Sequence, residues 1–493
     1  MSEIAFDNSY ARLAGDFFAR VNPAEVPEPA LVQVNRELAL ELGLDPRWLS
    51  SAEGLSMLAG NALPKGADPI AMAYAGHQFG GWSPQLGDGR AILIGELVGK
   101  DGIRRDIQLK GSGRTPFSRQ GDGKSPIGPV IREYIVSEAM AALGIPTTRA
   151  LAAVTTGETV HRERPSPGGV LTRVAQSHVR VGTFQFFYGR EQIDQLKMLA
   201  DYVIDRHYPD ARQAENPYAD LIERVAKRQA TLIASWMKVG FIHGVMNTDN
   251  TQIAGETIDF GPCAFMEAFD PETVLSSIDR RGRYAWGKQP GIGQWNLTRL
   301  AESLLPILAD EEEAAVEVAE NALEVFGPAF NLKLIAGFRA KLGLPPLEEP
   351  DQAGSDDFVS STFVRMKEQK TDFTLFFRHL TLVAAGREAD SFLALFESRA
   401  AGLEWMNEWR QAAKTSGNLP QERVDAMRQA NPIFIPRNHR VEEAIRAGVQ
   451  ADYRPFRRLN EILARPFEEQ PEHAEFEHPA TDDELIQQTF CGT

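Results

Sequence analysis

Cysteine is nearly absent: Cys263 and Cys491 are the only two in 493 residues. That excludes a disulfide framework and a structural zinc site, both of which need several cysteines. No run of eighteen apolar residues occurs, so no membrane span is expected. Positive charge is also in short supply, with 52 Lys+Arg against 68 Asp+Glu and a net charge of -16. Such a balance counts against general nucleic-acid binding, which needs a basic footprint. It leaves room for a local basic pocket holding a phosphate-bearing ligand. The N-terminus, "MSEIAFDNSYARLAGDFFARV", lacks the basic-then-apolar layout of a signal peptide, and its acids argue against a transit peptide. The cytoplasm is therefore the expected compartment. What the chain does have is 43% hydrophobic and 24% charged residues, the profile of a globular protein with a full core. Its length allows two to four ordinary domains or one large bilobal enzyme.

Residues 1 to 70 mix short helical patterns with turns. "PALVQVNRELALELGL" has apolar residues at helical spacing and ends on Gly43, a plausible C-cap. Between Gly80 and Arg119 the pattern changes to strands: Ala91 to Val98, a turn at "GKDG", then Arg104 to Lys110. "SPIGPVIREYIVSEAMAALGI" predicts a helix with Pro126 and Pro129 near its start and Ile131, Ile135, Ala139 and Leu143 on one face. "ALAAVTTGETVHRE" and "GGVLTRVAQSHVRVGTF" predict further strands. Beyond about 185 the chain is mostly helical. "ADLIERVAKRQATLIASWMKVGF" is a long amphipathic helix, and "NLTRLAESLLPILADEEEAAVEVAENALEVF" reads as a helix pair broken near Pro306. "LPPLEEPDQAGSDD", residues 344–357, is a polar, Pro-rich loop. Residues 468–484 hold eight acids and no Lys or Arg, as a solvated flexible tail would. The fold class expected is α+β: a protein-kinase-like bilobal fold with a β-rich N-lobe and a mostly helical C-lobe. The expected divisions are 1–70, 71–182, 183–465 and a tail at 466–493.

The stretch "HGVMNTDNTQIAGETIDFGP" contains His243, Asn250 and an Asp259-Phe260-Gly261 triplet in the order a protein kinase uses them. A kinase-type site also needs a strand Lys to hold a phosphate and a helix Glu to hold that Lys. Lys110 ends the second hairpin strand, and Glu133 lies in the helix that follows. Asn250 and Asp259 offer two oxygen ligands to Mg²⁺, which keeps several waters and takes its remaining ligands from phosphate. They flank "TQIAGETI", expected as a tight hairpin. The position where a kinase keeps its catalytic Asp is Val245. Asp249 is the only acid close enough in sequence to replace it, as a base or a metal-side partner, or it is a solvated loop acid. His243 is expected to be structural. "GDGR" (Gly87 to Arg90) and "GDGK" (Gly121 to Lys124) are either ordinary tight turns or backbone cradles for phosphate. Arg173 and Arg180, seven apart, are either surface salt-bridge residues or two guanidiniums facing a phosphate tail.

Four motifs, "AMAYAGHQFGGWSPQLGDGRAILIGE", "QLKGSGRTPFSRQGDGK", "IREYIVSEAMAALGIPTTRAL" and "HGVMNTDNTQIAGETIDFGP", together resemble the selenoprotein O (SelO, also YdiU) family. The resemblance runs nearly the whole chain, including "NPIFIPRNHRVEEAI" and the terminal "FCGT". It implies a pseudokinase fold that binds ATP in a flipped orientation and transfers AMP to Ser, Thr or Tyr hydroxyls of proteins. Carried over by motif, Gly87, Gly89, Arg90, Lys110, Asp122, Gly123, Arg173, Arg180 and Asp259 would bind ATP. Glu133 would pair with Lys110, Asn250 and Asp259 would hold Mg²⁺ or Mn²⁺, and Asp249 would accept the proton. The family often carries a selenocysteine or cysteine near the C-terminus, a place Cys491 occupies. Its partner in some members aligns here with Leu275, so a Cys263–Cys491 redox pair and two free thiols both stand open.

Three functions follow from these residues. One is adenylyl transfer from ATP to protein substrates by a monomer. The others are conventional phosphotransfer and a catalytically silent nucleotide-binding scaffold. The lack of an acid at 245 counts against the second, and the complete Lys110, Glu133, Asn250 and Asp259 set counts against the third.

Overall fold

The computed structural model describes residues 4–347, 356–415 and 417–490. Its N-terminal part is built on an eight-stranded sheet with the path β1-β3-β6-β7-β10-β9-β2, and with β8 added against β10. These strands are β1 (Phe18–Arg20), β2 (Ala30–Val34), β3 (Ile70–Met72), β6 (Ala91–Val98), β7 (Arg104–Lys110), β8 (Ser125–Pro126), β9 (Arg149–His161) and β10 (Pro165–Ala175). A small separate hairpin, β4 (Gly76–Gln78) and β5 (Gly81–Ser83), precedes β6. The sheet's named pairings are antiparallel, so short turns connect β6 to β7 and β9 to β10.

Strand alternation decides what each face does. Along β7, Ile107 and Leu109 enter a core with Ile92, Ile94, Val170 and Val174. Helices α1 (Arg36–Glu41), α2 (Pro46–Leu49) and α3 (Ala52–Ala59) cover this face with Leu38, Leu49 and Leu58. Gln108 and Lys110 therefore face the other way. Register places Lys110 opposite Leu171 and Gln108 opposite Arg173, so Lys110 and Arg173 share that second face. Helix α4 (Ile127–Ala142) packs Ile127, Ile131 and Ile135 with Leu171 there, joined by Phe456, Leu459 and Ile462 from near the C-terminus.

The remainder is helical and forms the largest core. It includes α5 (Val181–Tyr188), α6 (Ile193–His207), α7 (Pro217–Lys238), α8 (Gln289–Leu308) and α9 (Glu312–Leu323). The mixed α+β class matches the sequence reading. Helix α7 is the predicted long amphipathic helix, started by Asn216, whose side chain accepts from the Tyr218 and Ala219 amides. It delivers the chain to a two-stranded pair, β11 (Phe241–Ile242) with β12 (Ala264–Phe265), which brackets the motif-bearing loop.

Two local expectations are corrected. Residues 30–34 are a strand, not helix, because they pair with β9 at the sheet edge; the helix begins only after Asn35 caps it. "RVGTF" belongs to α5 rather than a strand, since the chain leaves β10 at Ala175 and Thr183 Oγ1 accepts from the Arg180 amide. The helix pair broken near Pro306 is as expected: Pro306 lies in the last turn of α8, the break falls after Leu308, where Ala309 turns extended, and α9 follows from Glu312.

Among the described residues no helix is long and apolar enough to cross a membrane. Leu109 is fully buried beside the site strand, whereas Val98 on the neighbouring strand is 48% exposed. Leu109→Ala should cost roughly 2–5 kcal/mol and lower the denaturant midpoint clearly. Val98→Ala should leave it within the error of the measurement.

Candidate active site

Four strongly polar side chains meet on the inner face of the sheet. Lys110 Nζ donates to Glu133 Oε2 at 2.6 Å and to Asp259 Oδ1 at 2.5 Å. Arg173 donates through Nε and Nη2 to Glu133 Oε1 at 2.8 and 2.5 Å, and through Nη2 to Asp259 Oδ1 at 2.6 Å. Two cations thus share two carboxylates. Burial acts to raise the pKa of both acids, but the cations outweigh it. Lys110, Arg173 and Arg180 hold Asp259 well below the usual carboxylate range, and Arg173 and Lys110 lower Glu133. Glu133 reaches the cluster because it shares a stripe of α4 with Val136 and Met140, one turn and two turns on, which pack toward the helical core.

Arg173 is 2% exposed, which decides between the two sequence readings: it is no surface salt-bridge residue. Arg180 is buried as well. Its Nη1 donates to the Asp249 carbonyl at 3.0 Å, its guanidinium lies 4.3 Å over the Tyr74 ring, and it approaches Asp88 at 3.5 Å and Asp259 Oδ2 at 3.9 Å.

The loop after β11 supplies the rest. The His243 ring hydrogen-bonds the Ile258 carbonyl through Nε2 at 2.9 Å, as a structural histidine should. Val245 is buried and lines the cleft. Asn250 Nδ2 donates to the Val245 carbonyl at 3.0 Å, which leaves its side-chain oxygen for a ligand. Asp259 sits in the left-handed region (φ 63°), a conformation Asp tolerates better than most residues. "TQIAGETI" is not a paired hairpin. It makes a turn in which the Gly255 amide donates to Gln252, and its flanks bridge elsewhere, Gln252 to Arg180 and Thr257 to Thr147. Eight residues separate Asn250 from Asp259, and these tertiary bridges bring them to one cleft without strand pairing.

Asp249 is buried. Gln78 Nε2 donates to its Oδ2 at 3.1 Å, and its Oδ1 has no hydrogen-bond partner among the described residues. Burial pushes this carboxyl up to about 6, against the Gln78 hydrogen bond and Arg180. The solvated loop-acid alternative is therefore removed.

The cleft has a volume of about 510 Å³. Lys110, Glu133, Arg173, Arg180, Asp249, Asn250 and Asp259 line it, together with Gly87, Gly89, Arg90, Asp122 and Gly123. Every sequence-chosen residue outside the two cysteines is thus brought to one place. The glycines are needed for space: a Cβ at Gly123 would lie 2.0 Å from the Gly113 carbonyl oxygen, and one at Gly87 (φ +93°) 2.4 Å from the Phe117 ring. Asp122 stands at the rim, where Arg162 donates to both its oxygens and holds its pKa at about 2. Cys263 is buried, donates to the Phe260 carbonyl, and has its thiol pushed up to about 12 by burial. Cys491 lies outside the described residues. Thr489 pairs with Leu275 and Ser277 through backbone hydrogen bonds of 2.7 and 2.9 Å, so the C-terminal segment does run beside Leu275.

Sequence reasoning missed several cleft residues. Asp88, the middle of "GDGR", is buried and accepts from the Met72 amide and Gln108 Nε2. Asn247 accepts from Tyr284 Oη at 2.6 Å. Both stood inside the motifs already quoted. Gln78 also stood inside a quoted motif, but nothing local pointed to its partner 171 residues away.

Among the described residues no group of three or more His, Cys, Asp or Glu could hold a metal ion. The oxygens that remain suit a cation shared with a ligand. They are the Asn250 side-chain oxygen and Asp259 Oδ2, whose nearest ion pair is the 3.9 Å one with Arg180.

Removing Glu133 leaves two buried cations with one shared carboxylate. Glu133→Gln should cost about 3–5 kcal/mol. In a denaturation double-mutant cycle with Lys110→Met, coupling of about 0.5–3 kcal/mol is expected. Strict additivity would mean that the two side chains do not interact.

The protein adenylyltransferase SelO family model matches residues 1–464. A protein nucleotidyltransferase YdiU from Rhodopseudomonas palustris (strain BisB5) is 58% identical over 490 residues, covering 99% of each chain. One from Bradyrhizobium sp. (strain BTAi1) is 56% identical over 489 residues, with 99% of each covered. One from Rhizobium etli (strain CIAT 652) is 55% identical over 491 residues, covering 99% of this chain and 97% of the other. The chain therefore belongs to the protein adenylyltransferase SelO family and is a nucleotidyltransferase.

Proposed function

We propose that this enzyme transfers AMP from ATP to Ser, Thr or Tyr hydroxyls of proteins and releases pyrophosphate. The nucleotide would lie reversed in a kinase-like bilobal cleft, between a β-rich lobe at 71–182 and a helical lobe at 183–465. One observation carries this reading. The cleft joins a buried Lys110–Arg173–Glu133 cluster, closed by the half-buried Asp259, to a buried carboxylate, Asp249, while the position a kinase gives its catalytic acid is the apolar Val245.

In the reaction the acceptor oxygen bonds to the α-phosphorus, and the bond from that phosphorus to the bridging α–β oxygen breaks. The hydroxyl proton passes to Asp249, whose buried Oδ1 has no hydrogen-bond partner among the described residues. Lys110, Arg173 and Arg180 meet the negative charge of the departing pyrophosphate, and Glu133 keeps Lys110 in place. Gly87, Gly89 and Gly123 let backbone approach the phosphates, with Arg90 and Asp122 at the rim. Asn250 and Asp259 would hold Mg²⁺ or Mn²⁺, which when bound neutralises phosphate oxygens. Catalysis is then mainly positioning and charge stabilisation.

Parallel incubations with α-³²P and γ-³²P ATP test the reading. Label on protein from α and not γ is expected; label from γ alone would overturn it in favour of conventional phosphotransfer. Lys110→Ala, Asn250→Ala and Asp259→Ala should each lower α-labelling by roughly 10²–10³ or more with unchanged circular dichroism. Chelation of divalent cations should abolish labelling, and added Mg²⁺ or Mn²⁺ should restore it.

A further inference from the structure

The hairpin β4–β5 presents Phe79 and Trp82 to solvent at 40% and 45% exposure, yet it is not loosely held. The His77 amide donates to Thr248 Oγ1 at 2.7 Å and the Phe79 amide to Asn247 Oδ1 at 3.0 Å. With the Gln78–Asp249 bond, three successive hairpin residues are tied to the three residues 247–249. The Phe79 ring stands 5.3 Å from Tyr284, and His77 lies between Trp82 (4.9 Å) and Trp295 (5.4 Å). Two large aromatic surfaces are thus kept rigid and wet beside Asp249. Exposed, pre-ordered aromatics of this kind are what a protein contact site uses.

The neighbouring segment, residues 278–283, closes the same side. Ile278 is 44% exposed and lines the cleft with Gln78 and Phe79. Arg280 and Arg281 are exposed. The Arg283 guanidinium lies 4.8 Å over the Trp295 ring and within 4 Å of a Cβ built at Gly80, on the hairpin tip. Nearby cations are paired, Lys288 with Glu272 and Arg299 with Glu302. Among the described residues the guanidiniums of Arg280, Arg281 and Arg283 make no ion pair, although the Arg283 amide donates to Asp279 Oδ1 at 2.9 Å. On a chain with sixteen more acids than bases, three unmatched guanidiniums next to an apolar rim call for an external negative charge.

We propose that the Phe79–Trp82 hairpin and the Arg280–Arg283 segment together form the docking face for the acceptor polypeptide, and that this face selects hydroxyls flanked by Asp or Glu. The proposal rests on the adenylyl-transfer reading and names its substrate class. An acceptor whose hydroxyl reaches Asp249 must pass the Phe79 and Ile278 side chains, and its flanking residues then meet the arginines. Complementary charge of this kind mainly sets encounter rate and choice of partner.

The test uses the full chain with synthetic peptides of one central Tyr, Ser or Thr flanked by Asp/Glu, by Asn/Gln or by Lys. α-³²P incorporation is measured at low and high salt. The wild type should favour the acidic peptide in kcat/KM on the order of tenfold over the neutral one, with the preference shrinking as salt rises. Arg280→Glu/Arg281→Glu should shift preference to the Lys peptide while the Kd for ATP stays within about twofold, because neither residue lines the nucleotide cleft. Trp82→Ala should raise the KM for every peptide and leave that for ATP alone, because Trp82 does not line the nucleotide cleft. Equal labelling of the three peptides by the wild type, or an unchanged preference in the double variant, would overturn the docking face and leave adenylyl transfer standing. A parallel fall in ATP affinity would also overturn it, by placing the arginines at the nucleotide. Transfer from γ and never from α would remove both readings together.

Discussion

Asp259 accepts from Lys110 and Arg173 through one oxygen, and Glu133 accepts from the same two cations. Four elements meet in that arrangement: β7, β10, α4 and the loop before β12. Charges this deeply buried are tolerable only as a set, since each one alone would carry a large desolvation cost. The sheet therefore has to present Lys110 and Arg173 on one face, α4 has to turn Glu133 inward, and the loop has to hold Asp259 in the left-handed region. An error in any of these leaves an unpaired charge in the interior. The cluster thus constrains how the sheet and the helical part of the chain come together.

Around this cluster the cleft is shaped by small residues and by long-range ties. Gly123 packs against the Gly113 backbone and Gly87 against Phe117, closing the rim that carries Asp122 and Arg162. Also around the cleft, hairpin β4–β5 is bonded to residues 247–249. The proposed phosphate-facing groups and the proposed acceptor-facing groups therefore lie on two differently built walls. One is cationic and glycine-rich, the other aromatic and fixed by amide hydrogen bonds. A nucleotidyltransferase must hold a polyphosphate and admit a second substrate, and two such walls suit that division.

Much of this was legible locally. The β6–β7 hairpin was read to the residue, because alternation around "GKDG" is a short-range pattern. Helices α4 and α7 followed from their periodicity and caps. The Lys110, Glu133, Asn250 and Asp259 set was found by order along the chain. Errors arose where a distant partner overrode a local pattern: residues 30–34 became an edge strand by pairing with β9, and "TQIAGETI" gave its bridges to Arg180 and Thr147. The choice between surface and interior for Arg173 could not be read either, since both neighbours on its strand fit any half-buried strand.

By itself the sequence determined the α+β class, the choice of Lys110, Glu133, Asp249 and Asp259 as candidate site residues, and membership of a nucleotidyltransferase family. These rest on periodicities of two and 3.6 residues and on motifs contained in single segments. Only the tertiary structure decided that Lys110 meets Asp259 across 149 residues, that Gln78 holds Asp249 across 171, and that the guanidiniums of Arg280, Arg281 and Arg283 make no ion pair among the described residues. Hydrogen bonds and ion pairs act over a few ångströms. Which side chains come within that range is set by how the sheet, α4 and the loop pack together, and no local period encodes it.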